Sequence, residues 1–166
     1  QFAMMPLMGL SQGAQPIVSY NYGARNSQRV RAAFRVLLRT CVIYSLVFWA
    51  LVQFFPRAFV QIFNNSPAMV EYASSALRIY MAATGIFGIQ VACQQTFVAL
   101  GNAKASLFLA VLRKIILLIP LIYILPLFFG DKLFGVFVAE PIADILAAST
   151  TTVSFLIWAK KNLRDK

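Results

Sequence analysis

The chain has 166 residues, 60% hydrophobic and 12% charged, with 15 Lys and Arg against 5 Asp and Glu and a formal net charge of +10. Soluble domains run near about 45–50% apolar and about 25% charged, so this composition excludes them, together with a disordered basic tail and an ordinary nucleic-acid-binding domain. The sequence contains no His, which removes His-based metal sites and Ser-His-Asp or Cys-His catalysis from the candidates. What remains is an integral membrane protein whose first partner is the lipid bilayer.

A membrane-crossing helix needs about 20 mostly apolar residues, and five such stretches are predicted. The first covers about 2–22 and is interrupted by Ser11, Gln12, Gln15 and Pro16, so its second half is bent or polar-lined. The second covers about 35–55 and stops at Pro56, ahead of the turn signal Asn64-Asn65-Ser66-Pro67. The third covers about 72–100 and ends at Gly101-Asn102, a good helix stop. The fourth, about 107–129, carries Pro120 and Pro126 and closes at Gly130-Asp131. The fifth, about 133–158, contains Pro141 and is followed by Lys160-Lys161. The expected fold is therefore all-α, a polytopic transmembrane helix bundle with about five spans. A membrane barrel would show alternating segments of about ten residues, and these runs are continuous and longer. Cys41 and Cys93 lie inside apolar stretches with no short-spaced partner, and read as packed thiols.

If five spans alternate, all the cations except Arg57, Arg78 and Lys132 fall on one side. The positive-inside rule then puts the C-terminus in the cytoplasm and the protein in a plasma membrane of bacterial inner-membrane type. Arg31, Arg35 and Arg39, spaced by four and extended by Arg25 and Arg29, form a basic stripe that suits snorkelling toward headgroups.

Charges inside the spans carry more information. Asp144 lies eleven residues past Leu133, about 16 Å down a helix and close to the bilayer midplane. Glu140 is one turn earlier on the same face, and Ala147, Thr151 and Ser154 continue it. Pro141 removes a backbone N–H and frees the Phe137 carbonyl. A mid-membrane acid is costly and points to function. Two carboxylates with a freed carbonyl suit a proton relay or a Na⁺ site. The competing reading is a structural ion pair, in which Arg78 reaches Glu140 and Arg113 approaches Asp144. Gln90 and Gln94 share a face bordered by Phe87 and Phe97, a surface that could bind amphipathic organic cations. Alternatively these amides bond across helices, with Gly85, Gly88 and Ala92 allowing the close approach. Gln12 and Gln15 carry the same two readings. No resident metal or cofactor is expected, with Na⁺ or H⁺ entering only as a transported ion.

Five segments taken in order resemble a known family. Gly13-Ala14-Gln15-Pro16-Ile17-Val18-Ser19-Tyr20-Asn21-Tyr22-Gly23-Ala24 is similar to the helix-to-loop signature of multidrug and toxic compound extrusion (MATE) transporters. Leu77-Arg78-Ile79-Tyr80, Phe97-Val98-Ala99-Leu100-Gly101, Ile119-Pro120-Leu121-Ile122-Tyr123 and Ala139-Glu140-Pro141-Ile142-Ala143-Asp144 resemble its later segments. The resemblance implies twelve helices in two six-helix halves around a central cavity, with efflux driven by Na⁺ or H⁺ entry. It makes residues 1–166 a partial C-terminal six-helix lobe, the first span standing for the eighth helix, with the N-terminal half as the missing partner. Several coupling carboxylates of the family belong to that missing part. Where some relatives carry an acid in the tenth helix, this chain has glutamines.

The combined expectation is a cation-coupled antiporter exporting drugs or other amphipathic organic compounds. Asp144 and Glu140 are its coupling or pathway pair. Gln90, Gln94, Gln12 and Gln15 are cavity candidates, and Arg78 and Arg113 are possible ion-pair partners. The alternatives are a lipid or oligosaccharide flippase of related architecture and a non-transporting assembly subunit. No nucleophile–base pair supports an enzyme.

Overall fold

The apolar stretches are helical; helices end at Pro56, at Asn64–Pro67 and at Gly101-Asn102, whereas Pro16 and Pro141 lie within continuous helices. A computed structural model describes residues 1, 4–129 and 132–163. In chain order the elements are α1 (Met4–Gly23), α2 (Ser27–Phe54), α3 (Pro56–Gln61), α4 (Pro67–Tyr80), α5 (Thr84–Ala99), α6 (Ala103–Val111), α7 (Ile119–Ile124) and α8 (Lys132–Asn162). A π-helical segment, Leu112–Leu118, joins α6 to α7, and a 3-10 turn, Leu125–Leu127, ends that rod.

Two of the turns share one design. After α1 the N–H of Asn26 bonds to the Asn21 carbonyl and that of Arg25 to the Tyr22 carbonyl. After α5 the N–H of Asn102 bonds to the Phe97 carbonyl and that of Gly101 to the Val98 carbonyl. Both are Schellman stops, with Arg25 (φ 56°) and Gly101 (φ 75°) in the left-handed position. Each Asn then caps the next helix, Asn26 Oδ1 accepting from the Arg29 N–H and Asn102 Oδ1 from the Ala105 N–H. This cap starts the second span at Ser27 instead of about 35. The Arg-rich segment between is made of residues with good helix propensity.

The third predicted span is not one straight helix. It begins at Pro67, and α4 and α5 are bent by 43° across Met81–Ala83. The carbonyls exposed near the break find side-chain donors on α2: the Trp49 indole N–H gives a 2.9 Å bond to the Ala82 carbonyl, and the Gln53 amide one of 2.9 Å to the Arg78 carbonyl. The fourth span starts earlier than expected, at Ala103. Its π segment ends two residues before Pro120, whose ring would clash with the Ile116 carbonyl in a regular α-helix. The fifth span runs on to Asn162.

Helix α5 is the centre of the bundle, packing on α1, α2, α6 and α8. Its small residues allow this. A Cβ at Gly88 would sit 2.3 Å from the Cys41 carbonyl oxygen and 2.4 Å from Ser45 Oγ. Ser45 Oγ donates to the Cys41 carbonyl and lies 3.1 Å from the Gly85 carbonyl, so it bridges α2 and α5. Farther along, Phe97 packs edge-on against Phe155 and Trp158, and Phe34 lies 4.5 Å from Phe155 between ring centroids. There the Arg31 guanidinium donates to the Leu163 carbonyl, tying the start of α2 to the end of α8.

Helix α2, the rod Ala103–Leu127 and helix α8 are each long and apolar enough to cross a bilayer, and the bent α4–α5 pair makes a fourth span if taken as one. Helix α1 has 20 residues, about 30 Å of helix. It falls short in hydropathy because of Ser11, Gln12, Gln15, Ser19 and Asn21. The protein is an all-helical integral membrane bundle.

Candidate functional site

The central charges come from the two rods that follow α5. Arg113 lies ten residues from the start of the Ala103–Leu127 rod and Asp144 twelve from the start of α8, about 15 and 18 Å along their axes. Because a short connector makes the rods antiparallel, the two residues meet at similar depth. Glu140 and Asp144 are four apart on one face of α8, flanking Pro141. Arg113 and Lys114 both lie in the π segment, whose i→i+5 winding brings successive side chains closer in azimuth than an α-helix does.

Arg113 sets Nε and Nη2 each 2.6 Å from Asp144 Oδ1. Its Nη2 is also 3.6 Å from Glu140 Oε1, the atom that Lys114 Nζ approaches at 3.6 Å. The guanidinium carbon stands 4.6 Å from the centroid of the Phe87 ring, a cation–π geometry. Arg113, Asp144 and Glu140 side chains are 16%, 11% and 14% exposed, whereas Lys114 is 57% exposed. Two cations facing two carboxylates make the cluster neutral overall. That neutrality is what lets it sit at mid-depth, since an unpaired charge there costs several kcal/mol.

The cluster forms one wall of a cavity of about 640 Å³, within the range of small-molecule sites. Met4, Met8 and Met81 add soft apolar lining, and Tyr80, Gln94 and Gln95 add polar groups. Of the residues singled out in the sequence, Asp144, Glu140, Gln94 and Arg113 are brought together here. Gln94 also points its amide at the Ser106 carbonyl, 3.4 Å away. Gln90 is buried at 2% exposure beside the cavity, and its Oε1 has no hydrogen-bond partner. Thr151 Oγ1 on α8 is likewise unpartnered, although Ser149, Thr150 and Thr152 all bond back to their own helix.

Two groups of candidates lie elsewhere. Gln12 is exposed and Gln15 half-buried on α1, beyond the turns that give Met4 and Met8 to the cavity. Arg78 is exposed at the end of α4 and lines a separate hollow with Arg57 and Glu71. Among the described residues Glu140 is paired by Arg113 and Lys114 and not by Arg78. On a straight third helix Arg78 would sit inside the span. Instead it lies exposed on α4, three residues before the break at Met81–Ala83.

Sequence reasoning missed Lys114 as the second cation on Glu140. Phe87 was read as the border of a cation-binding face, and the cation that it meets here is Arg113. The π segment that presents Lys114 had only Pro120 to announce it.

The MatE family model matches residues 1–124. The chain is 24% identical over 164 residues to multidrug export protein MepA of Staphylococcus haemolyticus, covering 98% of this chain and 34% of that protein. It is 24% identical over 143 residues to a FAD transporter of Shewanella oneidensis, covering 86% of this chain and 31% of that one. The solved structure of the MATE multidrug transporter DinF-BH is 38% identical, with a TM-score of 0.86 over 98% of this chain and 35% of the transporter. The chain spans about a third of the length of the curated relatives it matches. With three quarters of its residues under the family model and a fold shared with a solved member, the chain belongs to the MatE family.

Proposed function

We propose that this chain is the partial C-terminal lobe of a secondary transporter that exports drugs or other amphipathic organic compounds by antiport against Na⁺ or H⁺. The observation that carries this reading is the Arg113–Asp144–Glu140–Lys114 cluster, set in a mid-depth cavity with a Met-rich wall. A soft apolar wall accepts cargo of varied shape. The carboxylates give it a charged centre at which an entering cation and the cargo compete. Asp144 and Glu140 act as the coupling pair, Gln94 faces the cargo and Gln90 supports it from behind. In the intact protein the other half closes the open side of the cavity. The cation distribution along the chain supports an inner-membrane location with the C-terminus in the cytoplasm.

The test is dye export from vesicles carrying the full-length protein under an imposed Na⁺ or proton gradient. Asp144→Asn should abolish gradient-driven export with expression retained, and retained export overturns the assignment. A second reading, export of anionic compounds, draws on the FAD transporter relative and on two cations, Arg113 and Lys114, lining the cavity. Flavin nucleotide export in the same vesicles separates the two.

A further inference from the structure

We infer that Arg113 is a tethered stand-in for cargo: its guanidinium fills the place an organic cation would take, and cationic cargo binds by displacing it onto Glu140. Recognition of an organic cation calls for an aromatic face and a buried carboxylate within one cavity. Phe87 and Asp144 supply both, and both are already engaged by Arg113, at 4.6 Å from the ring centroid and 2.6 Å from Oδ1. The guanidinium suits this role because it is planar, always charged and more weakly hydrated than an ammonium.

The structure also provides somewhere for Arg113 to go. Glu140 Oε1 is 3.6 Å from Nη2, within ion-pair range and too far for a hydrogen bond. Its other cation, Lys114, is 57% exposed on the cavity side and can swing away from Glu140 into the cavity. A displaced guanidinium would therefore close on Glu140 while Lys114 lets go. Charge is conserved at each place: cargo pairs with Asp144 and Arg113 with Glu140. Each buried carboxylate has a cation before and after the exchange, which spares it the penalty of an unpaired charge. Self-occupancy also sets specificity, because neutral cargo cannot draw Arg113 from Asp144 and cargo must offer a charge at least as well seated.

The inference rests on the transport reading only for the class of the displacing molecule. It is tested by tetraphenylphosphonium binding to the detergent-purified full-length protein, with no gradient and no transport step. Arg113→Gln should bind the probe at least about tenfold tighter than wild type, because the site no longer competes with itself and the orphaned Asp144 gains a partner. Glu140→Gln should weaken binding by removing the refuge, and it should lose most of that effect in the Arg113→Gln background. Arg113→Gln binding no tighter than wild type overturns the inference. If that variant does not purify, Asp144→Asn decides the matter: a loss of about tenfold or more supports the inference and unchanged affinity overturns it. Dye export failing while this binding order holds would sink the transport reading alone.

Discussion

Asp144 illustrates why a mid-membrane acid and its partner must be considered together. Its Oδ1 takes two donors from one guanidinium, so removing Arg113 strands a buried anion, whereas removing both leaves an apolar contact. Arg113→Met should destabilise the folded protein by about 3–5 kcal/mol, while Arg113→Met with Asp144→Leu should be close to neutral or stabilising. Thermal unfolding of the full-length protein in detergent checks this. If the double variant is as unstable as the single one, the pair contributes through geometry that packing cannot replace. Gln90 and Thr151 are the complementary case at this scale: one buried acceptor and one buried hydroxyl, on the facing helices α5 and α8, each without a partner. Such atoms are rare in folded proteins.

At the scale of elements, the α2–α5 crossing sets the bundle. Gly88 lets the two backbones approach until a single methyl would overlap the Cys41 carbonyl. The obstacle is backbone and cannot rotate away, so Gly88→Ala should cost about 2 kcal/mol or more. The change would appear as a lowered unfolding temperature, and an unchanged temperature would mean that α2 and α5 can separate without loss. The same crossing shows what a sequence can disclose. Gly85, Gly88 and Ala92 advertise close packing, and Gly101-Asn102 marks a helix end to the residue. The break at Met81–Ala83 leaves no such mark, because no Pro or Gly lies within it. Its exposed carbonyls, those of Ala82 and Arg78, are instead held by Trp49 and Gln53 of another helix. Arg25 hid how short the first connector is, since an Arg stands where the left-handed position normally takes Gly. In the site, Asp144, Glu140 and Arg113 were legible as rare charges in apolar runs. The Arg113–Asp144 pair was legible too, as the ion-pair alternative, whereas Lys114 in place of Arg78 on Glu140 was not, because that depends on the π winding before Pro120.

For the whole molecule, α5 acts as the post around which α1, α2 and α8 are arranged, and the cavity lies along one side of it. The lopsided cations give this body an orientation that labelling can read. In cells expressing the full-length protein, a membrane-impermeant maleimide should react with Lys132→Cys from outside, and with Lys161→Cys only in inside-out vesicles. The opposite pattern would reverse the topology. The native Cys41 and Cys93 are both buried and shielded from the reagent.

Trp49 and Trp158 are the two tryptophans of the sequence. Trp49 donates to the carbonyl exposed at the α4–α5 bend, and Trp158 packs in the aromatic cluster with Phe97 and Phe155 near the other end of α5. The chain therefore carries an intrinsic fluorophore at each end of its central post, one wired to the joint and one to the base. Straightening α4 against α5 would cost the Trp49 indole its partner and shift its emission, while Trp158 reports whether the base has held still. Motion of the joint and loosening of the bundle thus fall to different tryptophans of this chain, and Trp158→Phe and Trp49→Phe would read them apart.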